Sequence, residues 1–358
     1  MKLTLGTHYS HQHHVVKLAS SISPFSKEDS VCLFLFSATT MASDPLVAGD
    51  HVYKPVVSSS VARLSYSVFP AKAGRQNPIL VLMTVGWGPG RAYANRGIAP
   101  LFQNDFNVVV ASPRGADESA RPVDSSGNDD PTQMSTVSMA DDIESLRMHL
   151  GISTIPVIMG HSNAGTICMA YAQRYPDRVD RVVSIDGRLL GWDRTAFQRF
   201  KSERENLPQY KDAYEAWTQP LPRTDEEFAV YLDRVLPSYF VDPVRDHPIF
   251  SGHLQGNLPR LWNYVSQGGA DGVYQKQLDS HGETKQMADL KTVKAKVLCA
   301  YGREDMMCAV ESGQFIVDRI NSSGGDATIH VYESCGHLPW IESKDEFVVR
   351  TLDWLKAS

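Results

Sequence analysis

Cysteine is scarce in this 358-residue chain, and the five present, Cys32, Cys168, Cys299, Cys308 and Cys335, are widely spaced. They make neither a disulfide framework nor a C-x-x-C metal pattern, which points to a reducing cytosol. Basic runs are missing too: the net charge is −6 and no cluster of Lys and Arg is sustained. Nucleic acid is therefore not an expected partner. No stretch reaches the roughly 18 apolar residues that a membrane-spanning helix needs, so no membrane partner is expected either. What is present is the balance of a globular protein, 42% hydrophobic and 21% charged. The length suits one large domain with an insertion, or two domains.

Residues 1–40 stand apart. They begin polar, with His8, His11, His13 and His14 clustered, and end in the short apolar run 31–36. A secretory signal would place such a run nearer the start, behind a short basic segment. The segment reads as a disordered or mis-annotated N-terminal extension, with Met41 as a natural start. A metal site at His11, His13 and His14 is the alternative.

The chain is organised around residues 157–165, Val-Ile-Met-Gly-His-Ser-Asn-Ala-Gly. An apolar run over 155–159 predicts a buried parallel strand, and 166–172 begins a helix. Between them Ser162 sits among small residues in a G-x-S-x-A-G turn, the pattern of a nucleophile elbow. Larger side chains at Gly160 or Ala164 would collide where strand and helix cross. The turn aims the Ser162 hydroxyl outward, beside the free N–H groups of a helix start.

Around this core the pattern alternates. Two opening strands are expected at 52–57 and 61–69, joined by a turn at Ser58-Ser59-Ser60. Further strands are expected at 79–83, 107–112, 181–186, 295–301 and 327–332. Ser138 and Asp141 resemble a capping box, and Met139, Ile143, Leu146 and Leu150 share the inner face of the helix that follows. A last helix spans 344–356. This rhythm predicts an α/β fold with a mainly parallel, doubly wound sheet. It breaks over 188–287, where helical, aromatic-dense segments carry Trp192, Phe197, Tyr210, Trp217, Tyr239 and Trp262. That insertion is expected to be a cap over an apolar pocket. The core is then 41–187 with 288–358.

The glycine-rich loop 84–90 follows the 79–83 strand, where a backbone N–H can meet an oxyanion. Ser162, Asp305 and His337 each lie just past the C-terminal end of a predicted strand, the edge where open α/β sheets bind ligands. A serine hydroxyl needs an imidazole to take its proton, and the imidazole needs a carboxylate to orient it. The three residues supply that set in the order Ser, Asp, His. Asp186, at the end of the 181–186 strand, competes with Asp305 for the acid role.

These blocks carry a resemblance. Gly160-His161-Ser162-Asn163-Ala164-Gly165, Tyr175-Pro176-Asp177-Arg178-Val179, Gly302-Arg303-Glu304-Asp305 and Gly336-His337 with Pro339 and Glu342 resemble the α/β-hydrolase superfamily over nearly all of 50–358. Gly88-Pro89-Gly90 and Pro113-Arg114-Gly115 look like loops of its proline-iminopeptidase-like (AB hydrolase-1) branch. The resemblance implies an α/β-hydrolase fold with catalytic Ser162, Asp305 and His337 and with no metal or organic cofactor. It implies oxyanion donors at the N–H groups of Trp87 and Asn163. Gly86, Gly88, His161, Trp192 and Trp217 are expected to border the substrate. Gly86-Trp87 replaces the branch's His-Gly and Asn163-Ala164 its Trp-Gly. A peptidase would also need a cap acid, from among Glu203, Glu205, Glu215, Glu226 and Glu227, to hold an ammonium. The expected function is therefore a serine hydrolase cleaving an ester, lactone or amide of a small, largely apolar molecule. An aminopeptidase, a lyase or cyclase, and a small-molecule receptor are the alternatives.

Overall fold

The computed structural model describes residues 44–192, 195–278 and 280–357. The expectations for residues 1–40, their histidines and Cys32 lie outside these. All that follows concerns the compact unit Asp44–Ser358.

Eight strands form one sheet: β1 (Gly49–Tyr53), β2 (Leu64–Phe69), β3 (Ile79–Met83), β4 (Asn107–Ala111), β5 (Ile155–His161), β6 (Val179–Ile185), β7 (Lys296–Gly302) and β8 (Ala327–Tyr332). Their order is β1-β2-β4-β3-β5-β6-β7-β8. Only β1–β2 and β2–β4 pair antiparallel; every other neighbour is parallel. Parallel strands are covered on both faces, so they read as unbroken apolar runs. Every residue of β3 and β4 is indeed buried. Each such Val, Ile, Leu or Met contributes roughly 1.5–3 kcal/mol by leaving water.

Among the described residues, twelve α-helices cover the sheet or fill the insertion: α1 (Ala99–Phe102), α2 (Thr136–His149), α3 (Asn163–Arg174), α4 (Thr195–Arg204), α5 (Pro208–Ala216), α6 (Asp225–Val235), α7 (Pro243–Leu254), α8 (Leu261–Gln275), α9 (Lys285–Asp289), α10 (Val310–Ser322), α11 (Pro339–Glu342) and α12 (Lys344–Lys356). The described chain between β6 and β7 holds α4 to α9 and no strand of the sheet. Among the described residues no helix is long and apolar enough to cross a membrane.

Two local expectations need correction. The first strand ends at Tyr53 rather than Val57, because Pro55 cannot donate to a ladder. α2 is capped by Ser135, whose hydroxyl accepts the Ser138 N–H, rather than by Ser138 itself. Asp141 is drawn away to Arg174 and Tyr175.

Candidate active site

β5 delivers Ser162 to the C-terminal edge of the sheet and α3 leads away from it. Ser162 adopts φ 54°, ψ −124°, a conformation that costs a residue with a side chain on the order of 1–3 kcal/mol. Three backbone bonds hold it there. Its N–H donates to Ile185 O at 2.8 Å, and its carbonyl accepts from Gly165 N at 3.0 Å and Arg188 N at 3.1 Å. A Cβ on Gly160 would lie 2.5 Å from the carbonyl of Ala164, so strand and helix cross closely only because that residue is glycine.

Asp305 and His337 arrive from the loops after β7 and β8. His337 Nδ1 lies 2.7 Å from Asp305 Oδ2. Asp305 Oδ1 is fixed by the N–H groups of Met307 at 2.7 Å and Cys308 at 3.1 Å. Asp305, rather than Asp186, thus meets the imidazole. The His337 backbone is clamped as well: its N–H donates to Tyr239 O and its carbonyl accepts from His161 Nε2, both at 2.9 Å. Tyr239 packs edge-on to the His337 ring, with centroids 5.2 Å apart. His161 is fully buried, and burial together with the neighbouring His337 pushes its pKa well down. It therefore stays neutral, with the proton on the nitrogen that meets the carbonyl. Glu342 braces the same loop by accepting the N–H groups of Gly336 at 3.0 Å and Leu338 at 3.2 Å.

On the other side of Ser162 lies the loop after β3. Asn163 Oδ1 accepts the Gly86 N–H at 2.9 Å, and Asn263 Nδ2, from α8, donates to Gly86 O at 3.3 Å and Arg114 O at 2.9 Å. With Gly86 held from both sides, the following peptide presents Trp87 to the cavity. Asn163 opens α3, where helix N–H groups have no intrahelical acceptor.

A cavity of about 630 Å³ opens over these residues. Ser162, His337, Trp87, Asn163, His161, Trp192 and Trp217 line it, while Asp305 lies behind His337. Gly86 and Gly88, expected to border the substrate, do not line it. Gly86 faces Gln267 and Met139, and Gly88 faces the backbone of Arg260. Both glycines therefore make room for α8 and its entry, not for a ligand. None of Glu203, Glu205, Glu215, Glu226 and Glu227 lines the cavity, and its acid, Asp233, is engaged by His247 and Ser251.

Arg188 was not singled out from the sequence. It lies three residues past β6 and two past the buried Asp186, lines the cavity and makes no ion pair among the described residues. A charge just beyond a strand's C-terminal end was the signal that could have found it. Cys308, three residues after Asp305, and Tyr239, one of the insertion's aromatics, line the cavity as well. Asp305, Cys308 and His337 hold ligand-type atoms within 4.8 Å of one another, as do His161, Asp186 and His337. Burial and the nearby Asp305 charge push the Cys308 thiol up, whereas a metal ligand must be a thiolate. Ser162 and the oriented imidazole of His337 line the same cavity, and the Ser162 side chain also interacts with that of Cys308.

Known proteins agree with this architecture. The chain is 26% identical over 292 residues to a 2-hydroxy-6-oxononadienedioate/2-hydroxy-6-oxononatrienedioate hydrolase of Pseudomonas putida, covering 77% of this chain and 87% of that one. It is 25% identical over 283 residues to a hydrolase of the same name from Escherichia coli K12, covering 77% and 86%. Among solved structures, an alpha/beta fold family hydrolase from Bacillus anthracis superposes with a TM-score of 0.61 at 17% identity, covering 85% of this chain and 98% of that one. The 2-hydroxy-6-oxo-6-phenylhexa-2,4-dienoate hydrolase of Rhodococcus sp. strain RHA1 gives 0.57 at 18% identity, covering 86% and 100%. Residues 80–344 match the family described as alpha/beta hydrolase fold. With the sheet order, the elbow and this match over most of its length, the chain belongs to the α/β-hydrolase family.

Proposed function

We propose that this protein is a serine hydrolase acting on a small, largely apolar carbonyl compound that carries a carboxylate. Ser162 Oγ adds to the carbonyl while His337 takes its proton, and His337 then returns that proton to the leaving group. Asp305 orients the ring and stabilises it once charged. The N–H groups of Trp87 and Asn163 receive the oxyanion. Water releases the acyl group by the same route. The insertion between β6 and β7 serves as the cap.

One observation carries this reading: Ser162, His337 and Arg188 open into the same aromatic-walled cavity. A guanidinium there matches a carboxylate in charge and geometry. The bond expected from the sequence was an ester, lactone or amide. Kinship to hydrolases named for oxo-dioates adds a C–C bond beside a ketone, because water adding across such a bond still passes through an acyl group. The peptidase reading requires a cap carboxylate facing the site; Asp233 is the one that lines the cavity, and it is engaged by His247 and Ser251.

The test is labelling with a fluorophosphonate followed by mass mapping. The adduct is expected on Ser162, and Ser162→Ala should lose turnover by several orders of magnitude. Aryl esters bearing a distal carboxylate should be cleaved faster than their neutral analogues. A wild-type protein that takes no label would point instead to a receptor. Cleavage of proline arylamides without ester cleavage would restore the peptidase.

A further inference from the structure

Asp186 is the acid that the reaction above does not use, yet it is built into the site. It follows β6, has no solvent exposure and holds φ at 42°. Its N–H donates to Ala300 O at 2.8 Å, and its Oδ1 accepts the Gly302 N–H at 2.8 Å. Its Oδ2 has no hydrogen-bond partner, although it belongs to a group with His161 and His337 whose polar atoms lie within 4.8 Å of one another. A buried orphan oxygen costs roughly 1–3 kcal/mol, so an unpaired Oδ2 needs an explanation.

The explanation lies in its neighbour. The Asp186 side chain interacts directly with that of Asp305. As two carboxylates, the pair presents acceptor to acceptor. A single proton makes the contact a hydrogen bond. Asp305 already receives two N–H groups and the His337 ring, whereas Asp186 receives one N–H. Charge is therefore cheaper on Asp305, because two adjacent buried carboxyls do not both ionise.

The remaining surroundings agree. β5 contributes the neutral His161. Tyr301 of β7 and Tyr332 of β8, with Cys308 and Cys335 from the loops after those strands, are all pushed up and stay uncharged. Glu342 of α11 adds a further acid, and Arg188 on Asp186's own loop is the nearby cation. Burial and the Asp305 charge push the Asp186 carboxyl well up.

We propose that Asp186 is a neutral carboxylic acid that donates a hydrogen bond to Asp305, and that it is a positioning residue for the Asp305–His337 pair. It fixes the carboxylate and draws off part of its charge. His337 is then held in place to act as a base. An ionised Asp186 would put a second negative charge beside the ring. The proposal rests on the hydrolase reading of Ser162.

The test compares Asp186→Asn with Asp186→Ala. Asparagine tolerates the left-handed backbone and keeps one acceptor for Gly302 and one donor for Asp305. The readouts are the pH dependence of Ser162 labelling by a fluorophosphonate and the NMR titration of the His337 ring nitrogens. D186N should label within about twofold of wild type, with an unmoved midpoint. D186A should raise the His337 midpoint by about half a pH unit or more and slow labelling most on the acid side. A D186N midpoint that moves, or labelling that collapses in D186N, overturns the proposal even if D186A does not fold. So does an unmoved midpoint in folded D186A. If wild-type Ser162 takes no label, the hydrolase reading falls, and the His337 titration of wild type and D186N still decides this one.

Discussion

On the proposed reading, one residue, Arg188, selects for a carboxylate. Its backbone N–H helps to hold Ser162 in its strained conformation, and the residue lines the cavity. Substituting Arg188→Gln keeps the backbone bond and removes the charge. A charge-assisted hydrogen bond is worth roughly 1.5–3 kcal/mol, so KM for a carboxylate-bearing ester should rise roughly ten- to a hundredfold. Labelling of Ser162 by an uncharged fluorophosphonate should stay near wild type. Equal loss with charged and neutral esters would remove the carboxylate-reading role. At this scale the sequence was most legible where chemistry demands a fixed order at strand ends: Ser162, Asp305 and His337. It was least legible where loops fold back. Gly86 and Gly88 were expected beside the substrate, but the room they leave is taken by Gln267, Met139 and Arg260. The clamp of Asn163 and Asn263 on Gly86 joins residues far apart in the chain, which periodicity cannot reveal.

Helix α8 explains why the insertion was harder to read than the sheet. Asn263, Gln267 and Asp271 recur every four residues and form its buried face, while Val265 and Val273 are exposed. Asp271 Oδ1 accepts the Thr136 N–H at the start of α2 at 3.0 Å. A helix with polar residues inside and valines outside defeats the hydrophobic pattern that placed the parallel strands. Those were legible because two-sided burial leaves an unmistakable apolar run. α8 also carries Gly268, Gly269 and Gly272, and a Cβ added at any of them meets nothing within 4 Å. Each Gly→Ala change should stabilise the helix by about 0.5–1 kcal/mol. Amide hydrogen exchange along α8 should slow by about fivefold per substitution at the upper figure. Unchanged exchange in the triple variant would show that α8 opens only with the whole protein.

Stability of the molecule as a whole should bear the mark of Glu342. Three backbone N–H groups, from Val241, Gly336 and Leu338, favour its anion. Burial outweighs them and pushes its pKa up to about 7. An acid raised on folding contributes stability below its unfolded pKa and loses it as pH rises through the folded one. Between about pH 4.5 and 7 this amounts to roughly 3 kcal/mol. His161 and His253, pushed down by burial, act oppositely as pH falls below about 6.5, so the wild-type curve alone is ambiguous. The difference between Glu342→Gln and wild type isolates the effect. The amide's NH2 sets a constant offset, and the denaturation midpoint of the variant should gain on wild type from pH 5 to about 7 and level off towards pH 8. A constant difference across that range would mean that Glu342 is already ionised at pH 5.

The sheet order has a further consequence, in time rather than in space. β6 and β7 are adjacent in the sheet but are separated in the chain by the entire insertion. During synthesis, Ser162 and its elbow leave the ribosome first and can pair only with strands already made. The strands that bring Asp305 and His337 come last, and β8 closes the sheet as its outer member. Domains fold as units, N-terminal ones first during synthesis. The single sheet is therefore completed only when β7 and β8 have emerged, and on the proposed reading the serine meets its base only near the end of translation. A chain truncated before β8 lacks His337 and, on that reading, should be inert.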